Sequence, residues 1–298
     1  MKRIGAINYV RPTTISEASE YLKKERSAGL AGGTDLIVAL REKGLELDYV
    51  VDLKFIPGLS DLVVRPGEGL EIGAMTSVHR IEISPELLKY YPSFPEAAEQ
   101  LGSDEVRRRA TIGGNLCSAL PSAELSPNVL VLDGTLTLSD GTNERKMKAE
   151  DFFISAGKSA LQPGELLVKI EFPWLDDNMA AAYEKFGPRN AMDIAIVNAA
   201  SFLHVNEDGV CEEARIGLGV VAPTTKRARC AEEFLQGKVI NKETIEEAAR
   251  ISSQEDAKTC RTSRRASAEY RKDLVYVLTM RTLEKAYERI LAKRGQTR

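Results

Sequence analysis

Adjacent glycines occur twice in this chain, and those two places limit what it can fold into. The first is Gly29-Leu30-Ala31-Gly32-Gly33-Thr34-Asp35-Leu36. Paired glycines free the backbone to take positive φ and to lie close against another group. Residues Ile37 to Gly44 then read as a helix, which Thr34 or Asp35 can cap. The N–H groups of such a turn, with the helix N-terminus, form a pocket for an anion such as a phosphate. A tight strand-to-helix turn without a ligand gives the same local pattern. The second place, Thr111-Ile112-Gly113-Gly114-Asn115-Leu116, lies about eighty positions later and repeats the theme. Two such cradles suit one ligand with two phosphates, held between two lobes.

At 298 residues, 43 % apolar and 29 % charged, the chain can bury a large core in one or two domains. Its net charge of −3 gives no electrostatic support to nucleic-acid binding. No run approaches the ~18 apolar residues that cross a bilayer. The basic start Met1-Lys2-Arg3 precedes no long apolar stretch, so no signal peptide is expected and the cytoplasm is the default location. The four cysteines, at 117, 211, 230 and 260, are at least nineteen positions apart, unlike the closely spaced thiolates of iron–sulfur or zinc sites. They read as reduced thiols. His79 and His204 are too isolated for a metal site, and packing roles are expected for both.

In chain order, Thr14 and Glu17 form a capping-box pattern ahead of a helix ending near Lys24. A short strand over 28–31, the first glycine bend, a helix closed by Gly44 and a strand at 49–53 complete a compact α/β lobe over about 1–55. The second lobe, 56–175, contains a strand at 70–74, helices over 78–91 and 94–101 broken at Ser84-Pro85, the second bend, a helix over 128–132, and strands at 135–138 and 166–170. Arg107, Arg108 and Arg109 read as phosphate ligands or as a solvated helix end. A boundary is expected at Pro173-Trp174-Leu175-Asp176-Asp177-Asn178. Beyond it, 176–298 reads as a smaller domain of three antiparallel strands, at 181–186, 194–204 and 210–221, packed by three helices, at 228–235, 242–251 and 268–291. Asn206-Glu207-Asp208-Gly209 is the hairpin turn. The fold class is α+β.

Two further motifs follow: Tyr183-Glu184-Lys185-Phe186 with Asp193, and Arg265-Ala266-Ser267-Ala268-Glu269-Tyr270-Arg271. With the two glycine bends, in this order, they resemble the flavin-binding subunit of the molybdenum hydroxylases, the group of xanthine dehydrogenase and carbon monoxide dehydrogenase. The resemblance covers nearly the whole chain. It implies a two-lobed FAD-binding domain of the PCMH type and non-covalent FAD. It also implies a molybdopterin-binding large subunit and a two-iron iron–sulfur small subunit as partners. Electrons would cross the iron–sulfur clusters to FAD and pass to NAD or another acceptor.

By the same resemblance, Leu30, Ala31, Gly32, Gly33, Thr34, Asp35 and Leu36 would cradle the pyrophosphate through backbone N–H groups. Ala110, Thr111, Gly113, Gly114 and Asn115 would complete the cradle, with Thr111 and Asn115 as side-chain donors. Glu124 would accept from ribose hydroxyls, and Leu101 and Gly102 would sit near the adenine. Leu167 and Lys185 would lie close to the isoalloxazine, where a cation can stabilise negative charge; an ion pair of Lys185 with Glu184 or Asp193 is the alternative.

No nucleophile–base constellation stands out, as expected if the cofactor carries the chemistry. Gly217-Leu218-Gly219-Val220-Val221-Ala222 matches the dinucleotide fingerprint, but Pro223 intervenes where a helix should open and no acid follows at the required distance. The cluster Arg261, Arg264, Arg265, Arg271 and Lys272 reads as a solvated or internally paired face, or as a contact for a phosphate or an acidic partner. A stand-alone flavoenzyme and a non-enzymatic assembly module remain as alternative functions.

Overall fold

The structure, a computed structural model, describes residues 5–189 and 191–295. The basic start at Met1 to Ile4 and Asn190 lie outside the described residues.

The first unit is a three-stranded parallel sheet in which Tyr49–Asp52 lies between Asn8–Val10 and Ser27–Leu30. Parallel neighbours need crossovers, and the helices Ile15–Leu22 and Leu36–Glu42 supply them. Thr14 caps the first helix by accepting from Glu17 N–H at 3.2 Å. The Glu17 carboxylate closes the motif one residue early, accepting from Thr13 N–H rather than from Thr14. The sheet buries both faces. One packs Val51 with Ala18, Ile56, Leu59 and Leu166, and the other packs Val50 with Leu40 and Leu47.

The second sheet is antiparallel, in the order Leu62–Arg65, Gly69–Gly73, Leu166–Pro173, Thr135–Ser139, Glu144–Lys148. Its edge strands escaped the sequence reading: Glu144–Lys148 is almost wholly charged, and Leu62–Arg65 is too short to show a period. The helical stretch over 78–91 breaks at Ser84-Pro85 as expected, into Val78–Ile83 and Pro85–Tyr90, because Ser84 ends one and caps the other. These helices, with Ser93–Glu99, Ile112–Cys117 and Ser126–Val131, enclose the largest core, which holds Ile72, Tyr91, Phe94, Leu116, Val129 and Phe172.

The third sheet has four strands rather than the three expected: Met179–Phe186, Val197–Val205, Cys211–Gly219 and Lys226–Arg227. The fourth is a polar pair of residues with no period to reveal it. It is held by pairing with Gly217 and Leu218, by Lys226 donating to the Asp256 carbonyl, and by Arg227 on Glu232. Alternate residues of the first two strands enter different cores. Ala181, Tyr183, Ala200 and Phe202 join the largest core, while Ala180, Ala182, Ala199 and Leu203 face the helices Arg229–Leu235, Lys242–Ile251 and Ala268–Lys293. A two-residue side-chain period makes this double use possible. Gly217 and Gly219 lie inside the third strand, where Cβ atoms would press on the Pro127 and Pro121 carbonyls at 2.8 and 3.1 Å. That packing accounts for the apparent dinucleotide fingerprint. Among the described residues, no helix is long and apolar enough to cross a membrane.

Candidate cofactor site

The first glycine bend leaves the carboxyl end of Ser27–Leu30 and enters the helix Leu36–Glu42. Gly33 sits at φ +79°, in the left-handed region that favours glycine. The first helical bond runs from Ile37 N–H to the Gly33 carbonyl, and Asp35, at the cap position, makes no side-chain bond. Among the described residues, the N–H groups of residues 32–36 therefore donate to no acceptor. A row of unspent donors at a helix start is the arrangement that binds an anion.

The second bend is built differently. Residues Ile112–Cys117 are helical, so Gly113 and Gly114 lie in a first turn rather than in a loop. Its backbone donors are spent: Ile112 on the Thr76 carbonyl, Gly113 on the Ala74 carbonyl, Gly114 on Thr111 Oγ1 and Asn115 on the Thr111 carbonyl. Side chains are what it has left to offer. Thr111 Oγ1 accepts from Gly114, so its hydroxyl hydrogen is free to donate. Asn115 Oδ1 accepts from Leu125 N–H at 3.2 Å, which reserves the amide NH2 as a donor.

The two bends meet. A Cβ on Gly32 would overlap the Arg109 carbonyl and lie 2.9 Å from Ala110 Cα, and one on Gly114 would lie 3.7 Å from Ala31 Cβ. Gly113 has a separate reason to be glycine, since its Cβ would stand 2.6 Å from the Ala74 carbonyl oxygen. Arg107 is bound to Glu82 at 2.7 Å and Arg108 to Asp104 at 2.7 Å, whereas Arg109 is exposed and pairs with no described residue. On the other side of the seam Lys54 reaches the Ala31 carbonyl and holds Asp52 at 2.5 Å. Burial would raise the Asp52 pKa, but bonds from Lys54 and the Tyr9 hydroxyl outweigh it and hold the carboxyl below its usual range.

A second cluster gathers around Lys185, whose side chain is buried. Its Nζ donates to the Gln100 carbonyl at 2.8 Å and to the Asp193 carbonyl at 3.0 Å, and it pairs with Asp193 Oδ1 at 3.1 Å and Glu124 Oε1 at 3.2 Å. Glu184 is elsewhere, on Arg281. Burial pushes the Glu124 carboxyl up, and Lys185 only partly offsets this. Tyr183 OH accepts from Asn198 Nδ2 at 3.1 Å close by, its pKa raised well above the usual value by burial and by the charge of Glu124. Gly102, at φ +55°, accepts from Met192 N–H, and Leu101 accepts from Arg107. Leu167 is buried in the largest core, to which Leu101, Ala110 and Leu116 also belong. The sequence reading assigned no role to Gln100 or Lys54; Arg109 was one of three arginines read as phosphate ligands or a solvated helix end, and of the two ion-pair partners offered for Lys185 the structure bears out Asp193. Gly187 is a second signal for it, because the Asp193 carboxylate fills the space of a Gly187 side chain.

His79 is less isolated than its sequence surroundings suggest. Its Nδ1 lies 3.4 Å from Glu82 and 3.3 Å from Asp104, a grouping with metal-ligand geometry. Arg107 and Arg108 already neutralise those carboxylates. His204 pairs with Glu212 at 3.1 Å.

Residues 5–175 match the family described as the FAD binding domain in molybdopterin dehydrogenase. Residues 181–286 match the CO dehydrogenase flavoprotein C-terminal domain. The carbon monoxide dehydrogenase medium chain of Afipia carboxidovorans is 32 % identical over 96 % of this chain and 98 % of its own. The xanthine dehydrogenase FAD-binding subunit of Escherichia coli O157:H7 is 28 % identical over 94 % and 95 %. Among solved structures, a chain of carbon monoxide dehydrogenase from Hydrogenophaga pseudoflava superposes with a TM-score of 0.89 at 27 % identity, covering 97 % of this chain and 99 % of that one.

Proposed function

This chain belongs to the family of FAD-binding subunits of the molybdopterin dehydrogenases, and from that premise we propose that it relays electrons between iron–sulfur clusters on a partner and NAD or another acceptor. It is the FAD-binding subunit of an oxidoreductase of the xanthine and carbon monoxide dehydrogenase type. Its partners in this reading are a molybdopterin-binding large subunit and a two-iron iron–sulfur small subunit, in the cytoplasm. Bound FAD supplies a redox centre that takes up electrons singly and releases them as a pair. The protein's own work is to hold, orient and shield that group.

In this reading the FAD domain spans 1–175, with lobes 1–55 and 56–175, and 176–298 is the smaller domain. Residues 31–36 present backbone N–H groups to the diphosphate, with Leu30 anchoring the bend. Thr111 and Asn115 donate from the opposite side, on a turn that Ala110, Gly113 and Gly114 keep close. Glu124 keeps one oxygen for ribose hydroxyls, since Lys185 occupies the other. Lys185 serves as a fixed positive charge near the ring, and Leu101, Gly102 and Leu167 form apolar walls. One observation carries the assignment: unspent donors at residues 32–36 stand against a second bend whose offering is side-chain hydrogen.

The test is a spectrum and a titration. Protein purified from its native cells is expected to be yellow, to release FAD on denaturation, and to take FAD up again when stripped. A colourless chain indifferent to added FAD would remove the proposal.

A further inference from the structure

We infer that the basic strap at residues 258–265, with the apolar face beside it, is a docking surface for the acidic face of a partner protein subunit. The inference rests on the subunit reading above and adds where a partner sits.

Between Lys258 and Lys272 the sequence places six cations and one carboxylate, Glu269, in a chain whose net charge is −3. Arg271 is buried and structural: it donates to the Val220 carbonyl, to the Ile196 carbonyl and, at 2.7 Å, to Ser263 Oγ. Lys258, Arg261, Arg264 and Arg265 are exposed, and their side chains bond to no described residue. Among the described residues, some exposed arginines elsewhere find carboxylates, Arg250 on Glu247, Arg281 on Glu184 and Arg229 on Glu150, and those that do not, such as Arg41, Arg65 and Arg109, stand singly rather than in a run of four unpaired cations. Four like charges within eight residues repel one another, and an apposed anionic surface would relieve this.

The strap is also held in shape. Ser263 N–H donates to the Ala266 carbonyl, Ala268 N–H to Thr262 Oγ1, and Arg271 ties Ser263 to the strand that begins at Val197. Pre-ordering of this kind lowers the entropy a partner must remove on binding.

Beside the strap is apolar surface. Tyr270 is 42 % exposed and meets Phe186 edge-on at 6.2 Å, and Met192 and Ile194, 62 % and 46 % exposed, precede Ile196 in the chain. The Ile196 N–H bond to the Phe186 carbonyl joins this face to the groups that Arg271 holds. Aromatic and methionine side chains rimmed by arginine are the composition of protein interfaces rather than of idle surface. The face begins one residue beyond Lys185, so a partner seated there approaches the proposed ring end of the cofactor.

The experiment uses the complex purified with the full chain. Carbodiimide, which joins lysine amines directly to carboxylates, is expected to link Lys258 or Lys272 to aspartate or glutamate of a co-purifying subunit. The R261E/R264E/R265E variant is expected to keep its FAD and to bind that subunit at least tenfold more weakly, and the wild-type association should weaken steeply with salt. Wild-type-like assembly of the variant, or linkage absent while both lysines stay open to acylation in the complex, overturns the inference and leaves FAD binding untouched. A variant that assembles normally but loses NADH binding gives the strap to a small polyphosphate and also overturns it. A colourless wild-type complex with the cross-links present overturns the cofactor reading alone.

Discussion

Gly32 and Glu124 are the residues at which chemistry and packing can be separated most cleanly. The Gly32→Ala substitution drives a methyl into the Arg109 carbonyl, and strain of this kind costs about 1–3 kcal/mol. Chemical denaturation should show that loss, and FAD titration should show an affinity at least tenfold weaker. Gly67, at φ +82° with no neighbour within 4 Å, is the control. Its alanine variant should cost about 1 kcal/mol of backbone strain and leave FAD affinity alone. Glu124 is a matter of pH. Its folded-state pKa is raised, chiefly by burial, so the native protein holds that proton to a higher pH than the unfolded chain does. The group's contribution is therefore fully present in acid, below the ordinary carboxylate value of 4.5, and falls as pH rises towards the raised value. Stability measured against pH should decline less over that window in Glu124→Gln than in the wild type; parallel curves would show that the carboxyl titrates normally.

The helix Ile112–Cys117 is short and carries two glycines, each costing about 1 kcal/mol relative to alanine in a helix interior. Its Thr111 cap and the bonds from Ile112 to Thr76 and from Gly113 to Ala74 hold it in place. Thr111→Ala should cost about 1–2 kcal/mol and remove the donor proposed for the cofactor, whereas Thr111→Ser should restore both; an alanine variant with wild-type melting and FAD affinity would show that the cap is dispensable. This helix also shows what the sequence could not reveal. Gly-Gly has the look of a loop, and only the contact with Ala74, nearly forty residues away, makes it a helical turn. The first bend was legible because its cause is local: Gly33 needs positive φ and Asp35 begins the next helix. The start of the long helix Ala268–Lys293 was read correctly at 268, where Ser267 caps it by accepting from Tyr270 N–H. The pairing of Lys185 with Glu124 joins residues 61 apart in sequence, and nothing local foretells it.

At the scale of the whole molecule, a ligand spanning both bends binds the assembled protein and not the unfolded chain. At a hundred times its dissociation constant such a ligand adds about 2.7 kcal/mol, a rise in melting temperature of roughly 5 °C or more. FAD should produce that rise in stripped protein, and an unchanged melting point would mean that the bends are not bridged. The third sheet has a different consequence. With Tyr183 and Phe202 committed to one core and Ala182 and Leu203 to the other, neither half of the chain has a finished exterior. A protease that cuts the exposed turn at Asp176 and Asp177 should give two bands on a denaturing gel and a single particle on a sizing column. For the same reason, a gene split at that turn would have to make both fragments in one cell for either to stay in solution.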